Sequence, residues 1–148
     1  MSATTFNQTK NLNPAKLVTS GAIAGLAGGM VFGIMMAMMG MLPMIAGLVR
    51  SQSAFVGFIV HMFISAFIGA IYGLVAGRFP LTWLNAVIGG MLNGVVWWVL
   101  GALILMPIGL GMTNMVFHVG TDQWFSLMGH LIYGLVTAFV FVPLAKRH

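Results

Sequence analysis

Two histidines set inside long apolar stretches are the residues of this sequence best suited to chemistry. His61 and His130 each lie about two helical turns from the end of their stretch. Polar residues inside a membrane span are costly and usually face the interior, which makes them functional candidates. The sequence therefore predicts a layer of two imidazoles at equal depth. The competing interpretation is structural, with each imidazole hydrogen-bonded to a Ser, an Asn or a carbonyl of a neighbouring helix.

One cofactor that suits two opposed imidazoles is b-type haem, with His61 and His130 as axial ligands. Gly57 and Gly129 would make room for the flat macrocycle. Arg50 is close enough in sequence to meet a propionate. Haem is therefore the first of two candidate cofactors.

The second candidate is copper, because thioether and imidazole together suit Cu(I). Methionines crowd the end of the first apolar stretch, and two more follow in a later loop: Met35, Met36, Met38, Met39, Met41, Met44, Met112 and Met115. The candidate ligands are His61, His130, Met38 and Met41. Methionine also fills irregular gaps in apolar packing, so the absence of any cofactor is an equal alternative.

Acid–base catalysis has few residues available to it. Asp122 is the only carboxylate side chain, which excludes paired-acid mechanisms and carboxylate metal sites. Asp122, Ser126 and His130 are spaced by four, but stacking along a helix does not orient a base against a nucleophile. We expect no enzymatic activity.

The composition indicates a membrane protein. Hydrophobic residues make up 60% of the 148-residue chain and charged residues only 5%, too few to cover a soluble surface. The net charge of +5 comes from basic residues near segment ends, where they act as topology signals rather than as a nucleic-acid surface. The lipid bilayer is the predicted partner.

Four apolar segments are long enough to cross a bilayer, which takes about 20 residues. They are Leu17–Val49, Ala54–Ala76, Leu81–Met106 and Trp124–Leu144. Pro43 predicts a kink or an end in the first. Residues 1–16 form a polar tail, and residues 17–148 a single transmembrane domain. Lys10, Lys16, Arg78, Lys146 and Arg147 share one side, with Arg50 alone on the other, which predicts cytoplasmic termini in an inner or plasma membrane.

Small residues at four-residue spacing predict close helix contacts. One ridge lies in the first segment, a second in the segment that holds His61, and a third surrounds His130. Their members are Gly21, Gly25, Gly29 and Gly33, then Gly57, Ser65, Gly69 and Gly73, and finally Gly134. The spacing leaves open whether these ridges pack within the chain or between chains.

An internal repeat organises the predicted fold. A shift of 64 superposes Pro43 on Pro107, and a shift of 69 superposes His61 on His130. We predict an all-α membrane protein of four transmembrane helices, built as two parallel two-helix hairpins about a pseudo-twofold axis along the membrane normal. The repeats cover about residues 17–78 and 81–148.

Three functions follow as hypotheses. The first is a membrane-embedded cofactor or metal site at His61 and His130. The second is an accessory subunit whose glycine faces dock to a larger membrane complex or to a second copy. The third is a small-solute or ion channel formed by an oligomer, with Ser65, Asn93 and Thr137 lining its pore.

Overall fold

The computed structural model describes residues 12–147, and every regular element in that range is helical. The α-helices are α1 (Pro14–Met38), α2 (Leu42–Ala46), α3 (Ala54–Ala76), α4 (Trp83–Trp97), α5 (Met106–Gly109) and α6 (Thr121–Lys146). A π-helical segment, Trp98–Leu105, joins α4 to α5, and 3₁₀ turns lie at Gly47–Val49 and Thr113–Met115. Four helices are long and apolar enough to span a membrane: α1, α3, the continuous helix Trp83–Gly109, and α6.

The first long helix ends earlier than Pro43. Gly40 adopts a left-handed conformation, with φ at 67°, and its N–H donates to the Ala37 carbonyl. The N–H of Met41 reaches back to the Met36 carbonyl at 2.9 Å, which completes a Schellman cap. Pro43 instead occupies the second position of α2, where its missing N–H costs nothing. Gly40 is therefore the residue that ends α1.

Replacing Gly40 by Ala is expected to destabilise the fold by about 1 kcal/mol, the cost of a left-handed conformation for an L-residue. An added Cβ would meet nothing within 4 Å, so backbone strain is the whole effect. Gly40→Asn should recover part of the loss, because Asn tolerates this conformation. Thermal unfolding in detergent, followed by circular dichroism, measures both. Equal destabilisation by the two variants would contradict the strain argument.

Other predicted segment ends also differ from the structure by a few residues. The helix predicted to end at Met106 continues through Pro107 to Gly109, because this proline also takes the second position of a helical turn. The last helix begins at Thr121, three residues before the predicted start, and it continues to Lys146. Residues 14–16, predicted as tail, are helical, since Asn13 caps α1 by accepting from the Ala15 N–H at 2.9 Å. Residues 1–11 of the predicted tail lie outside the described range.

The long helices form an open arc in the order α3, α1, α6, α4. Helix α1 packs against α3 and α6, and α6 packs against α4, whereas α3 and α4 scarcely touch. The first turn of α1 and the end of α6 lie on one face, because Lys16 Nζ donates to the Arg147 carbonyl. The opposite face carries the two longer loops. The arc therefore leaves a cleft between α3 and α4.

The glycine ridges of α1 and α3 pack against each other within the chain. A Cβ added at Gly25 would overlap the Ser65 carbonyl and the Gly69 Cα, and one added at Gly69 would overlap the Gly21 carbonyl and the Gly25 Cα. The other ridge glycines behave alike: Gly21 and Gly73 face each other, Gly29 faces Ser65, and Gly33 faces Phe58 and His61. Gly57 packs on the backbone of α2 at Leu42. These glycines let two backbones approach to contact distance.

A similar crossing joins α4 to α6, but it uses a different register from the one the sequence suggested. Gly90 and Gly94 pack against the carbonyls of Gly134 and His130. At the first crossing, Gly21 and Gly25 pack in the same way against the carbonyls of Gly69 and Ser65. By these contacts, His130 takes the place of Ser65 and not that of His61. The shift that pairs α3 with α6 by these contacts is therefore 65, from Ser65 to His130, and not the 69 that pairs the two histidines.

Candidate functional site in the loop-side cavity

A cavity of about 670 Å³ lies in the half of the α3/α4 cleft nearer the loops, and both histidines line it. We call it the loop-side cavity. Its wall is formed by four long helices: Phe32 and Met36 from α1, His61 and Ser65 from α3, Gly101 and Met106 from the continuous helix Trp83–Gly109, and Ser126, His130 and Tyr133 from α6. The structure thus brings together the two residues that the sequence singled out.

His61 is anchored to the neighbouring helix. Its Nε2 lies 2.9 Å from the Gly29 carbonyl oxygen, and Ser65 Oγ is 3.4 Å from the same nitrogen. A carbonyl oxygen only accepts, so Nε2 carries the hydrogen and donates it across the α1/α3 crossing. The side chain is buried, at 7% exposed. This contact agrees with the structural interpretation given for His61, in which the imidazole hydrogen-bonds to a carbonyl of a neighbouring helix.

His130 makes its hydrogen bond within its own helix. Its Nδ1 lies 2.7 Å from the Ser126 carbonyl, which fixes the hydrogen on Nδ1. In a neutral imidazole the other nitrogen, Nε2, then carries a lone pair. A histidine that donates one N–H to a carbonyl and keeps the other nitrogen free is the usual form of a metal ligand. His61 keeps its Nδ1 in the same way, but His61 is buried whereas His130 is only half-buried, so His130 is the more accessible of the two imidazoles.

The ring of Phe32 contacts both imidazoles. Its centroid lies 5.5 Å from that of His61 and 5.0 Å from that of His130, both in edge-to-face geometry. The Phe32 ring also fills the space over Gly129, since an added Cβ there would overlap it. Phe32 comes from the buried face of α1 and holds the two histidines around one aromatic ring. The imidazoles are neighbours through Phe32 rather than opposed across an empty gap.

These contacts fill the space that a haem would need. Gly129 is covered by Phe32, and Gly57 is covered by the backbone of Leu42. Arg50 is exposed, in a left-handed turn, and lies outside the lining of the loop-side cavity. His61 Nε2 is already bonded to Gly29. The residues present do not fit a macrocycle held between His61 and His130.

The methionines divide into two groups. Met38 has 83% of its surface exposed and does not line the cavity, so the structure does not bring this predicted ligand together with His61 and His130. Met41 lines the cavity together with three methionines near it in sequence, Met36, Met39 and Met44, and with Met106 at the start of α5. Met36 is buried at 4% exposed, whereas Met39 and Met44 are about two-fifths exposed. Thioethers are therefore present both at the exposed rim of the cavity and in its buried interior.

Asp122 joins the same cavity from the first turn of α6. It is the only acidic side chain of the protein, and it lies near the loop-side rim. Within residues 12–147, no three His, Asp or Glu side chains come close enough together to hold a metal ion. The donor set of the cavity consists of thioethers, two imidazoles and this single carboxylate.

The residues proposed to line a pore lie inside the chain. Ser65 and Thr137 are 2% and 0% exposed, and Thr137 Oγ1 lies against Gly28 of α1. Asn93 lines a second cavity on the other half of the cleft. Polar side chains that face the interior of one chain do not form a pore between chains. The geometry therefore gives the channel hypothesis no support.

Sequence reasoning missed two residues that shape the loop-side cavity. Phe32 separates the imidazoles, and Tyr133 ties α6 to α3 through a hydrogen bond from its hydroxyl to the Ser65 carbonyl at 2.7 Å. Neither has a distinctive signal among many aromatic and apolar residues, although Tyr133 is one of only two tyrosines.

The chain was also compared with known proteins. It matches no protein-family model, no curated protein and no solved structure.

Proposed function

We propose that this protein is a membrane-embedded binding protein for a soft metal ion, Cu(I), held in the loop-side cavity by His130 and methionine thioethers. The observation that carries the proposal is the convergence of five methionines on the cavity that His130 also lines. Thioether and imidazole ligands select Cu(I) among the biological metals. Methionine has three rotatable side-chain bonds, so thioethers around a cavity of this size can close on an ion.

The exposure of the methionines suggests an order of contact. An ion arriving at the loop face meets Met39, Met44 and the carboxylate of Asp122 first, because these residues are exposed. The buried Met36 and the half-buried His130 hold it deeper in the cavity. Asp122 attracts a cation to the rim by its charge, and the thioethers bind the ion without adding charge. The protein thus takes up a soft cation from one face of the membrane.

The location proposed for the protein is a plasma or inner membrane, with both termini in the cytoplasm. The Lys and Arg count of the sequence, five on the predicted side of the termini and Arg50 alone on the other, supports this orientation. The metal would then enter from outside the cytoplasm. Docking to a larger complex through the glycine ridges finds no support, since the ridges pack within the chain. A homo-oligomer or another membrane partner stays a prediction.

The proposal is tested by a Cu(I) competition titration. We expect detergent-purified protein, kept reduced and titrated against a chromogenic Cu(I) chelator, to remove Cu(I) from the chelator in stoichiometric amount. Zn²⁺ should not compete at equal concentration, because it prefers imidazole and thiolate to thioether ligands. Failure to withdraw Cu(I) would overturn the proposal. A Soret band in the absorbance spectrum of the same sample would instead select haem.

A further inference from the structure

The face of the bundle that holds the first turn of α1 and the end of α6 is strongly basic. We call it the terminus face. Lys16 Nζ donates to the carbonyl of Arg147, and Lys146 precedes Arg147 in the chain. Arg78 lies on the same face, because the glycine before it packs against the side chain of Leu17. Four cationic residues therefore share one end of the bundle.

These positive charges have no acidic side chain beside them. Asp122 is the only acidic side chain of the protein, and it lies in the first turn of α6, about 36 Å from Lys146 along the helix axis. The Lys16 ammonium has three N–H donors, of which the Arg147 carbonyl accepts one. Cations that gather without a counter-charge create a positive potential that attracts anions. The terminus face is therefore suited to an anion from outside the chain.

An apolar surface adjoins the cations, nearer the middle of α6. Phe139 precedes Lys146 by seven residues, which places the two exposed side chains on one face of the helix, about 10 Å apart along its axis. The ring of Phe139 contacts that of Trp83, the first residue of α4, with centroids 5.8 Å apart, and both rings are exposed. The polar layer on each side of a bilayer is roughly 5 to 8 Å thick. The two rings therefore lie at the depth of the acyl chains when Lys146 lies among the headgroups.

We propose that the terminus face binds an anionic phospholipid. Lys16, Lys146 and Arg147 hold its phosphate oxygens. One acyl chain lies against the rings of Trp83 and Phe139. A zwitterionic headgroup suits the site less well, because its own cation is repelled by the three basic side chains. A free phosphate or an acidic peptide has no acyl chain to cover the two rings. In the orientation proposed above, the terminus face lies in the cytoplasmic leaflet, whose surface is negative.

This inference does not depend on copper, because none of the residues named for the lipid lines the loop-side cavity. The two sites can therefore be tested one without the other. Lys146→Gln should leave Cu(I) binding intact, and His130→Ala should leave the lipid preference intact.

The test places the full-length protein in bilayers of mixed phosphatidylcholine and phosphatidylglycerol, with brominated acyl chains on one lipid at a time. Bromine quenches tryptophan fluorescence at contact range, so quenching of Trp83 reports which lipid lies against it. The variant Trp83→Phe supplies the signal of the other tryptophans, which is subtracted. We expect Trp83 to select phosphatidylglycerol over phosphatidylcholine by at least about 10-fold, since each cation near the surface contributes about 5-fold. High salt should lower this preference, because it screens exposed charges.

Matched variants assign the preference to the terminus face. Lys146→Gln should lower the preference about 5-fold, and its exposed position should leave the packing unchanged, which thermal unfolding checks. Adding Lys16→Gln should abolish what remains. Arg50→Gln is the same loss of one charge on the loop face, and it should keep the wild-type preference.

Three results would overturn the proposal. The first is equal quenching of Trp83 by the two brominated lipids. The second is a preference that Arg50→Gln lowers as much as Lys146→Gln does, since it would then reflect only the net charge of the protein. The third is loss of the preference when a soluble anion is added. Loss with glycerol phosphate would assign the cations to a free phosphate, and loss with polyglutamate alone would assign them to an acidic protein segment.

Discussion

Gly25→Ala is expected to destabilise the protein by about 2 to 3 kcal/mol, in the upper range for overpacking. The new Cβ would overlap the Ser65 carbonyl and the Cα of Gly69, both of them backbone atoms that cannot rotate away. The two helices must therefore move apart along the whole crossing. That movement also stretches the bond from His61 to Gly29, one turn further along α1. Thermal unfolding in detergent micelles, followed by circular dichroism, measures the loss.

The control for Gly25→Ala is Gly101→Ala, the same chemical change at a helical glycine with nothing within 4 Å of an added Cβ. Ala favours helix over Gly, so Gly101→Ala should be neutral or slightly stabilising. The pair thus separates the effect of close packing from that of helix propensity. If both variants unfold at the same temperature as the wild type, the α1/α3 crossing is not as close as described.

Helix positions were predictable because their signals are local. The bounds of α3 agree with the predicted Ala54–Ala76, where Ser53 caps the first turn and Gly77 follows the last. The end of α1 was predicted near Pro43 and lies earlier in the structure, because both Gly40 and Pro43 can end a helix. The hydrogen bonds of a Schellman cap show that α1 ends at Gly40, and such bonds cannot be identified from the sequence.

The relation between the two helix pairs was harder to predict, because Gly89 and Gly90 are adjacent. A one-residue change in the register of α4 rotates its contact face by about 100°. The repeat shift of 64 places Gly25 on Gly89, whereas Gly90 and Gly94 are the glycines that contact α6. Gly89 instead faces Tyr72 and lines the second cavity of the α3/α4 cleft. The four-residue spacing of Gly90 and Gly94 was the available signal.

The histidines could be found because polar residues are rare in such segments, but their surroundings could not. Continuing the α1 ridge from Gly29 and Gly33 by three residues reaches Met36, which is on the face toward the bundle. Two residues further, Met38 points to the opposite side. Counting methionines without their helical angle therefore selected one correct cavity residue, Met41, and one exposed residue, Met38.

Met41 and Met38 give the sharpest test of the proposed metal site. Met41→Leu should weaken Cu(I) binding at least about 10-fold, since changing even a group that supports a ligand costs 10- to 100-fold. Met38→Leu makes the same substitution three residues away, on a side chain that is 83% exposed, and should not alter the affinity. Leu and Met have similar volumes, so neither change should disturb packing. The chelator competition used for the wild type measures both.

The two histidines should differ in the same assay. His130→Ala removes the imidazole whose Nε2 is free, so Cu(I) affinity should fall by at least about 10-fold while thermal stability changes little. His61→Ala breaks the bond to Gly29 at the α1/α3 crossing, so its main effect should be on stability. Equal loss of Cu(I) affinity in the two variants would contradict the asymmetry and restore a symmetric histidine pair.

The methionine variants have their own contradicting outcome. Equal Cu(I) affinity in Met41→Leu, Met38→Leu and the wild type would show that methionine is not part of the site. Only the convergence of thioethers on this cavity distinguishes copper from the other metals that imidazole binds.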